Sequence, residues 1–164
     1  MYAFQASVHV ERSTDDVWAY LADLRNLKLW DPDVLDVQWQ PPAALGQTFT
    51  IVVDLGGGRP LVGDARIASL ESGRCIGWEA RPRAPGWITG GGRSRLVATY
   101  RTEPSGADGT RLSRRLELEG HGLLGIVTPA LAFLARRERY AEIENLKRIL
   151  EGHGGTPRRH EAEG

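Results

Sequence analysis

The sequence predicts an α+β domain in which a curved antiparallel sheet of about seven strands wraps around a long C-terminal helix. Three observations carry this. Residues 122–151 hold the longest helical pattern of the chain: Leu124, Val127, Leu131 and Leu134, then Ile143, Leu146, Ile149 and Leu150, recur at three- and four-residue steps. Between residues 34 and 119 lie six strand-like runs separated by short turn signals, the pattern of an antiparallel meander, and a further run opens the chain. Such a sheet has one apolar face, and the last helix is the only element long enough to cover it. A strongly twisted sheet curls, so a gap is expected between its concave face and that helix.

Residues 4–11 alternate and read as the opening strand. Ser13-Thr14-Asp15-Asp16 then resembles a capping box, and Val17, Trp18, Tyr20, Leu21 and Leu24 follow at helical spacing. This first helix ends between Asp23 and Arg25. Asn26 can cap a second, short helix through Trp30, which Asp31-Pro32 stops because proline bars the α region to its predecessor. Strands are expected at 34–40, 46–55, 61–71, 74–81, 95–103 and 110–119, with turns at Pro41-Pro42, Gly56-Gly57-Gly58-Arg59-Pro60, Ser72-Gly73 and 104–109. The connection that contains Trp87 and Gly90-Gly91-Gly92 is longer. The order is therefore β-α-α-β6-α.

Thr128 and Pro129 suit the N-cap and first position of the last helix, placing it over 129–151. At ~1.5 Å per residue it is roughly 33 Å long. Val127, Leu131 and Leu134 fall on one line, which Glu138 shares; Leu146, Ile149 and Leu150 lie on a second line rotated by roughly 60–90°. Residues 1–151 make one domain. The tail 152–164 offers no core residue and reads as disordered.

The 164 residues carry 21 Lys plus Arg and 21 Asp plus Glu, so no net charge argues for nucleic acid or an anionic membrane. Arg136-Arg137-Glu138-Arg139 reads as a solvated helix face. The single cysteine, Cys75, excludes an internal disulfide and fits a reducing compartment. The N-terminus has neither a basic n-region nor an apolar h-region, and no apolar run approaches the ~18–20 residues of a membrane span. A soluble, cytoplasmic protein is expected, as a monomer or homodimer.

The element order, together with several local strings, resembles the START-like helix-grip (SRPBCC) superfamily of the polyketide cyclase/dehydrase and lipid-transport type. The strings are Asp16-Val17-Trp18 with Leu21-Ala22-Asp23, then Trp30-Asp31-Pro32-Asp33-Val34, then Asp108-Gly109-Thr110-Arg111-Leu112, and finally Asn145-Leu146-Lys147 with Leu150-Glu151. The match covers about residues 4–151. It implies a helix-grip fold and an internal cavity for a small hydrophobic ligand. The resemblance also implies that Trp30 stands near the pocket mouth; packing between the second helix and the sheet is the alternative. The fold hosts carriers, cyclases, hydrolases and regulators, so it does not by itself select among them.

Alternation places Phe49, Ile51 and Val53, Ile76 and Trp78, and Ala98 and Tyr100 on the inward face. In the last strand the inward register is Leu112, Leu116 and Leu118, and Arg114 falls in it. An inward arginine is expensive unless paired, and Glu138 lies on the apolar line of the covering helix, so an Arg114–Glu138 pair is expected. A bulge that turns Arg114 to water is the alternative. Arg114, Glu138 and Tyr100 are the candidate catalytic residues. Trp30, Phe49, Ile51, Trp78, Leu116, Leu131 and Leu134 are candidate ligand contacts, with Trp87 as a lid residue or an exposed hairpin tip.

The Gly56-Gly57-Gly58 and Gly90-Gly91-Gly92 runs lack the Gly-Lys-Ser/Thr of a phosphate loop. His9, His121, His153 and His160 share no ligand spacing, so no metal, no cofactor and no covalent nucleophile are assigned. The leading functional reading is a polyketide cyclase/aromatase-like protein that folds a hydrophobic polyketide-type ligand and polarises its carbonyls. Arg114 would stabilise enolate charge, with Tyr100 or Glu138 moving protons. A non-catalytic carrier or sensor of a lipid, quinone or other hydrophobic metabolite would use the same pocket. A protein-interaction domain with a filled core is the third reading.

Overall fold

The computed structural model describes residues 2–54, 60–126 and 136–152, with the backbone alone at 136–141. The opening strand β1 (Tyr2–Val10) leads into α1 (Thr14–Ala22), a 3-10 turn (Leu24–Asn26) and α2 (Leu27–Trp30). Strands β2 (Val34–Gln38), β3 (Thr48–Val53), β4 (Leu61–Glu71) and β5 (Cys75–Pro82) follow. The one-turn α3 (Gly86–Thr89) precedes β6 (Arg95–Ser105), β7 (Gly109–Glu119) and α4 (Arg136–Leu150). The expected order is recovered, with α3 added inside the glycine-rich connection. The expected start of the last helix at 129, with Leu131 and Leu134, lies outside the described residues, as does the tail from 153.

All seven strands form one curved antiparallel sheet in the order β1-β7-β6-β5-β4-β3-β2. Between β1 and β2 the chain must travel from one edge of the sheet to the other, and α1 and α2 make that crossing. Accordingly α1 packs on β6 and β7, while α2 packs on β2 and α4. Two register shifts bend the sheet: Leu35 is an extra residue in β2 against β3, and Ala68 an extra residue in β4 against β5. Each such bulge adds local twist, which curls the sheet toward the helices.

Local chemistry sets the ends of the helices. Ser13 Oγ accepts the Asp16 N–H at 3.1 Å, while Asp15 and Asp16 complement the positive end of α1. Asp31 ends α2 in extended geometry (φ −98°, ψ 105°), as the following proline requires. The far end of α4 is tied to the start of the crossover. The Glu11 N–H donates to Glu151 Oε1 at 2.8 Å, and Arg12 Nε donates to the Leu150 carbonyl at 3.1 Å.

The core fills the concave side. Phe49 and Ile51, Ala65 and Ile67, Ile76, Trp78 and Ala80, Ala98 and Tyr100, and Leu112 and Leu116 are buried there with Leu21, Leu24, Leu27, Trp30, Ile143 and Leu146. Burying each large apolar side chain contributes roughly 1.5–3 kcal/mol. The inward alternation expected for β3, β5, β6 and β7 is therefore the observed one, except that Val53 and Leu118, at strand ends, are only partly covered.

Candidate functional site: a buried arginine between two carboxylates

Arg114 occupies the middle of β7, directly opposite Tyr100 of β6 and Ala6 of β1. The small Ala6 leaves its flank open, and the guanidinium stays inside the protein, only 3 % exposed. The alternative of a bulge at this position does not hold: β7 keeps continuous register with both neighbours. Nη1 donates to Glu142 Oε2 and Nη2 to Asp31 Oδ2, the latter at 3.2 Å. Its Cζ lies 5.4 Å from the centroid of the Trp30 ring and 5.9 Å from that of Tyr100. Trp30 and Tyr100 meet edge to face at 5.7 Å. Two aromatic rings and two carboxylates thus surround one cation, a desolvated setting in which each interaction is strong.

Each partner is supplied by a different element. Asp31 reaches the site because Pro32 terminates α2 there, and its Oδ1 also accepts the Asp33 N–H at 3.2 Å. Glu142 comes from α4, where Asn145 Nδ2 donates to the Trp30 carbonyl at 3.0 Å and locks the helix onto α2. The side chain of the expected partner Glu138 lies outside the described residues; the carboxylate that α4 is seen to bring to Arg114 is Glu142, one turn further along. Asp33, Asp31 and Glu142 present carboxylate oxygens within 4.8 Å of one another, a set able to converge on a cation. Here the Arg114 guanidinium supplies positive charge to two of them.

Among the described residues the electrostatics are unbalanced, with one cation facing two buried acids. Burial pushes the Asp31 carboxyl up to about 7, against the pull of Arg114 and with added repulsion from Glu142 and Asp33. Burial likewise pushes the Tyr100 phenol up to about 12, Arg114 opposing and Asp31 and Glu142 adding. Tyr100 therefore remains a donor at neutral pH. Burial works against the Arg114 charge too, but Tyr100, Asp31 and Glu142 outweigh it and hold the guanidinium above its ordinary range. A carboxyl poised near neutrality can take up and release a proton, and a permanently charged guanidinium can stabilise an oxyanion.

A crevice of about 10 Å³, lined by Tyr20, Leu21, Leu24, Leu27, Trp30 and Tyr100 among others, leads toward this cluster from the helical crossover. That is room for about one water. Phe49, Ile51, Trp78 and Leu116 are buried on the same concave face, Phe49 and Trp78 edge to face at 6.3 Å. Trp87 is 69 % exposed on α3. That turn is held by Ser94, whose Oγ donates to the Thr89 carbonyl and accepts the His121 N–H. Gly90 closes it at φ +65°, where a Cβ would sit 2.4 Å from the His121 Cβ.

Asp31 and Glu142 were not expected from the sequence. Asp31 reads first as a helix stop. Glu142 stands four residues before Leu146 and seven before Ile149, on the second apolar line of the helix, and that line is the signal that could have found it.

Residues 1–151 match the family described as polyketide cyclase/dehydrase and lipid transport. Among solved structures, the chain is similar to the Zhui aromatase/cyclase from Streptomyces sp. R1128, at 18 % identity and TM-score 0.72, covering 92 % of this chain and 93 % of that one. A START superfamily protein from Mycobacterium smegmatis is similar at 15 % identity and TM-score 0.66, covering 94 % and 100 %. The di-domain ARO/CYC StfQ of the steffimycin biosynthetic pathway is similar at 18 % identity and TM-score 0.65, covering 92 % of this chain and 49 % of that one. A search of the curated proteins found no match. At these identities the solved structures speak for the fold, while the match across 1–151 decides the family: the chain belongs to the polyketide cyclase/dehydrase and lipid transport family.

Proposed function

We propose that this chain binds a small hydrophobic, carbonyl-bearing molecule of polyketide type between the sheet and α4 and promotes its cyclisation or dehydration. The observation that carries this reading is the buried Asp31–Arg114–Glu142 cluster, in which two acids meet one cation and burial pushes the Asp31 carboxyl up to about 7. A structural ion pair needs only one acid; the second leaves a proton to exchange. In an aldol ring closure the Asp31 carboxylate takes a proton from a carbon between two carbonyls. The enolate carbon then attacks a second carbonyl of the same chain, forming the C–C bond. The alkoxide so formed takes the proton back from Asp31. In dehydration Asp31 takes an α-proton and returns it to the departing hydroxide, giving a C=C bond and water. Arg114 Nε, which has no acceptor among the described residues, holds the oxygen that gains charge.

The crevice among the described residues admits about one water, so a ligand entering by it must part α1 and α2 from Tyr100 to reach the cluster. The test is ring closure of a synthetic 1,3,5-triketone followed by chromatography. Wild-type protein should accelerate it, and Asp31→Asn should return the rate to that of buffer while still binding the triketone. Equal rates for both proteins would refute the acid/base role. Binding without acceleration by either would make the chain a carrier, the second use of the same interior.

A further inference from the structure

The concave face carries buried hydrogen-bond donors that have no acceptor among the described residues. Trp78 Nε1, Tyr100 Oη and Arg114 Nε are each buried and have no acceptor among the described residues. Their residues are 2–3 % exposed. A buried donor without an acceptor is costly, and three are concentrated on one sheet face. They also stand in sequence across it. Tyr100 and Arg114 are direct partners in the β6–β7 ladder, and Trp78 pairs with Ala98, two residues along β6 on the same face as Tyr100. Direct partners have Cβ atoms about 4.5–5.5 Å apart and diagonal neighbours about 7–8 Å. The donors therefore run as a diagonal row over three adjacent strands. Between them the face is apolar, with Ala98, Leu116 and Phe49. Tyr20, whose own hydroxyl also has no acceptor among the described residues, lines the crevice together with Tyr100.

We propose that Trp78 Nε1, Tyr100 Oη and Arg114 Nε form a track for acceptor oxygens of the ligand. The track makes the interior selective for a molecule with carbonyl oxygens spaced along one edge over a hydrocarbon of the same shape. This rests on the reading that the interior takes a ligand at all, and it assigns Trp78 and Tyr100 as specificity-determining residues. All three groups donate at neutral pH: indole and guanidinium can only donate, and burial keeps the Tyr100 phenol protonated. A ligand edge bearing N–H donors alone fits poorly. A fatty acyl chain would leave at least two of the three donors unmatched.

The experiment uses three probes on one carbon skeleton: 1,3-diphenylpropane with no oxygen, 1,3-diphenylpropan-1-one with one, and dibenzoylmethane with two. Affinities are measured by calorimetry on the full chain and on Trp78→Phe and Tyr100→Phe, which keep the rings and remove the donors. Affinity is expected to rise with each carbonyl. Each substitution should cost the diketone about five- to tenfold, the worth of one hydrogen bond, while leaving 1,3-diphenylpropane unchanged. Equal affinities for the three probes, or variants that weaken all three alike, would overturn the track while leaving the ligand-binding interior intact. Failure of every probe to bind wild-type protein would overturn both the track and the ligand-binding reading.

Discussion

Replacing Asp31 by Asn tests whether the buried cluster holds an exchangeable proton. In the folded chain the carboxyl sits at about 7, against an ordinary value of 3.8. The folded-state value is the raised one, so between these limits the folded protein keeps a proton that the unfolded chain has lost. Stability then falls as pH rises through the window, by ~1.4 kcal/mol per unit, and levels off above about pH 7. From about pH 5 to about pH 8 the wild-type protein should lose roughly 3 kcal/mol through this group alone. An asparagine at this position is neutral throughout and keeps an acceptor for Arg114 Nη2, so the variant lacks this slope. Urea denaturation of both proteins at several pH values isolates the effect, because titrating groups away from the cluster cancel in the difference. The variant should gain about 3 kcal/mol on wild type across the window, having started near equality or about 1 kcal/mol below from the lost Asp33 contact. Parallel curves would mean that Asp31 carries no proton near neutrality, and the acid/base chemistry assigned to it would fall with that result.

Arg114→Ala strands the Glu142 and Asp31 charges in the core and should cost ~3–5 kcal/mol by chemical denaturation. In a cycle of Arg114→Met with Glu142→Gln, the double variant should lose less than the two singles summed; a coupling near zero would mean that the two groups do not meet. Tyr100→Phe removes a buried hydroxyl that has no acceptor among the described residues, so the ligand-free protein should gain about 1 kcal/mol. A lower melting temperature for this variant would show that the phenol has a partner in the folded chain. Ser13→Ala removes the N-cap of α1 and should cost about 1 kcal/mol in the same assay; no change would place the start of the helix elsewhere.

What the sequence determined by itself is the set of features governed by short-range rules. Alternation placed Phe49, Ile51, Trp78, Tyr100 and Leu116 on one face, because the two-residue period of a strand is dictated by the backbone. Ser13 and Pro32 bounded the helices through hydrogen-bonding and steric rules that act within a few residues. The inward position of Arg114 followed from the same register. Its partners did not. Two apolar lines on the last helix, one carrying Glu138 and the other Glu142, were equally compatible with covering the sheet, and helical periodicity cannot say which line faces β7. That choice depends on how α4 docks on α2, fixed by Asn145 against the Trp30 carbonyl and by Arg12 at the Leu150 carbonyl, contacts spanning more than a hundred residues of chain. Asp31 entered the core for a related reason: ending α2 is a local event, but the burial that raises its carboxyl comes from strands and a helix far away in sequence. The three donors without an acceptor among the described residues are a tertiary property as well. A donor is without an acceptor only once every group around it has been placed, and no pattern along the chain records that.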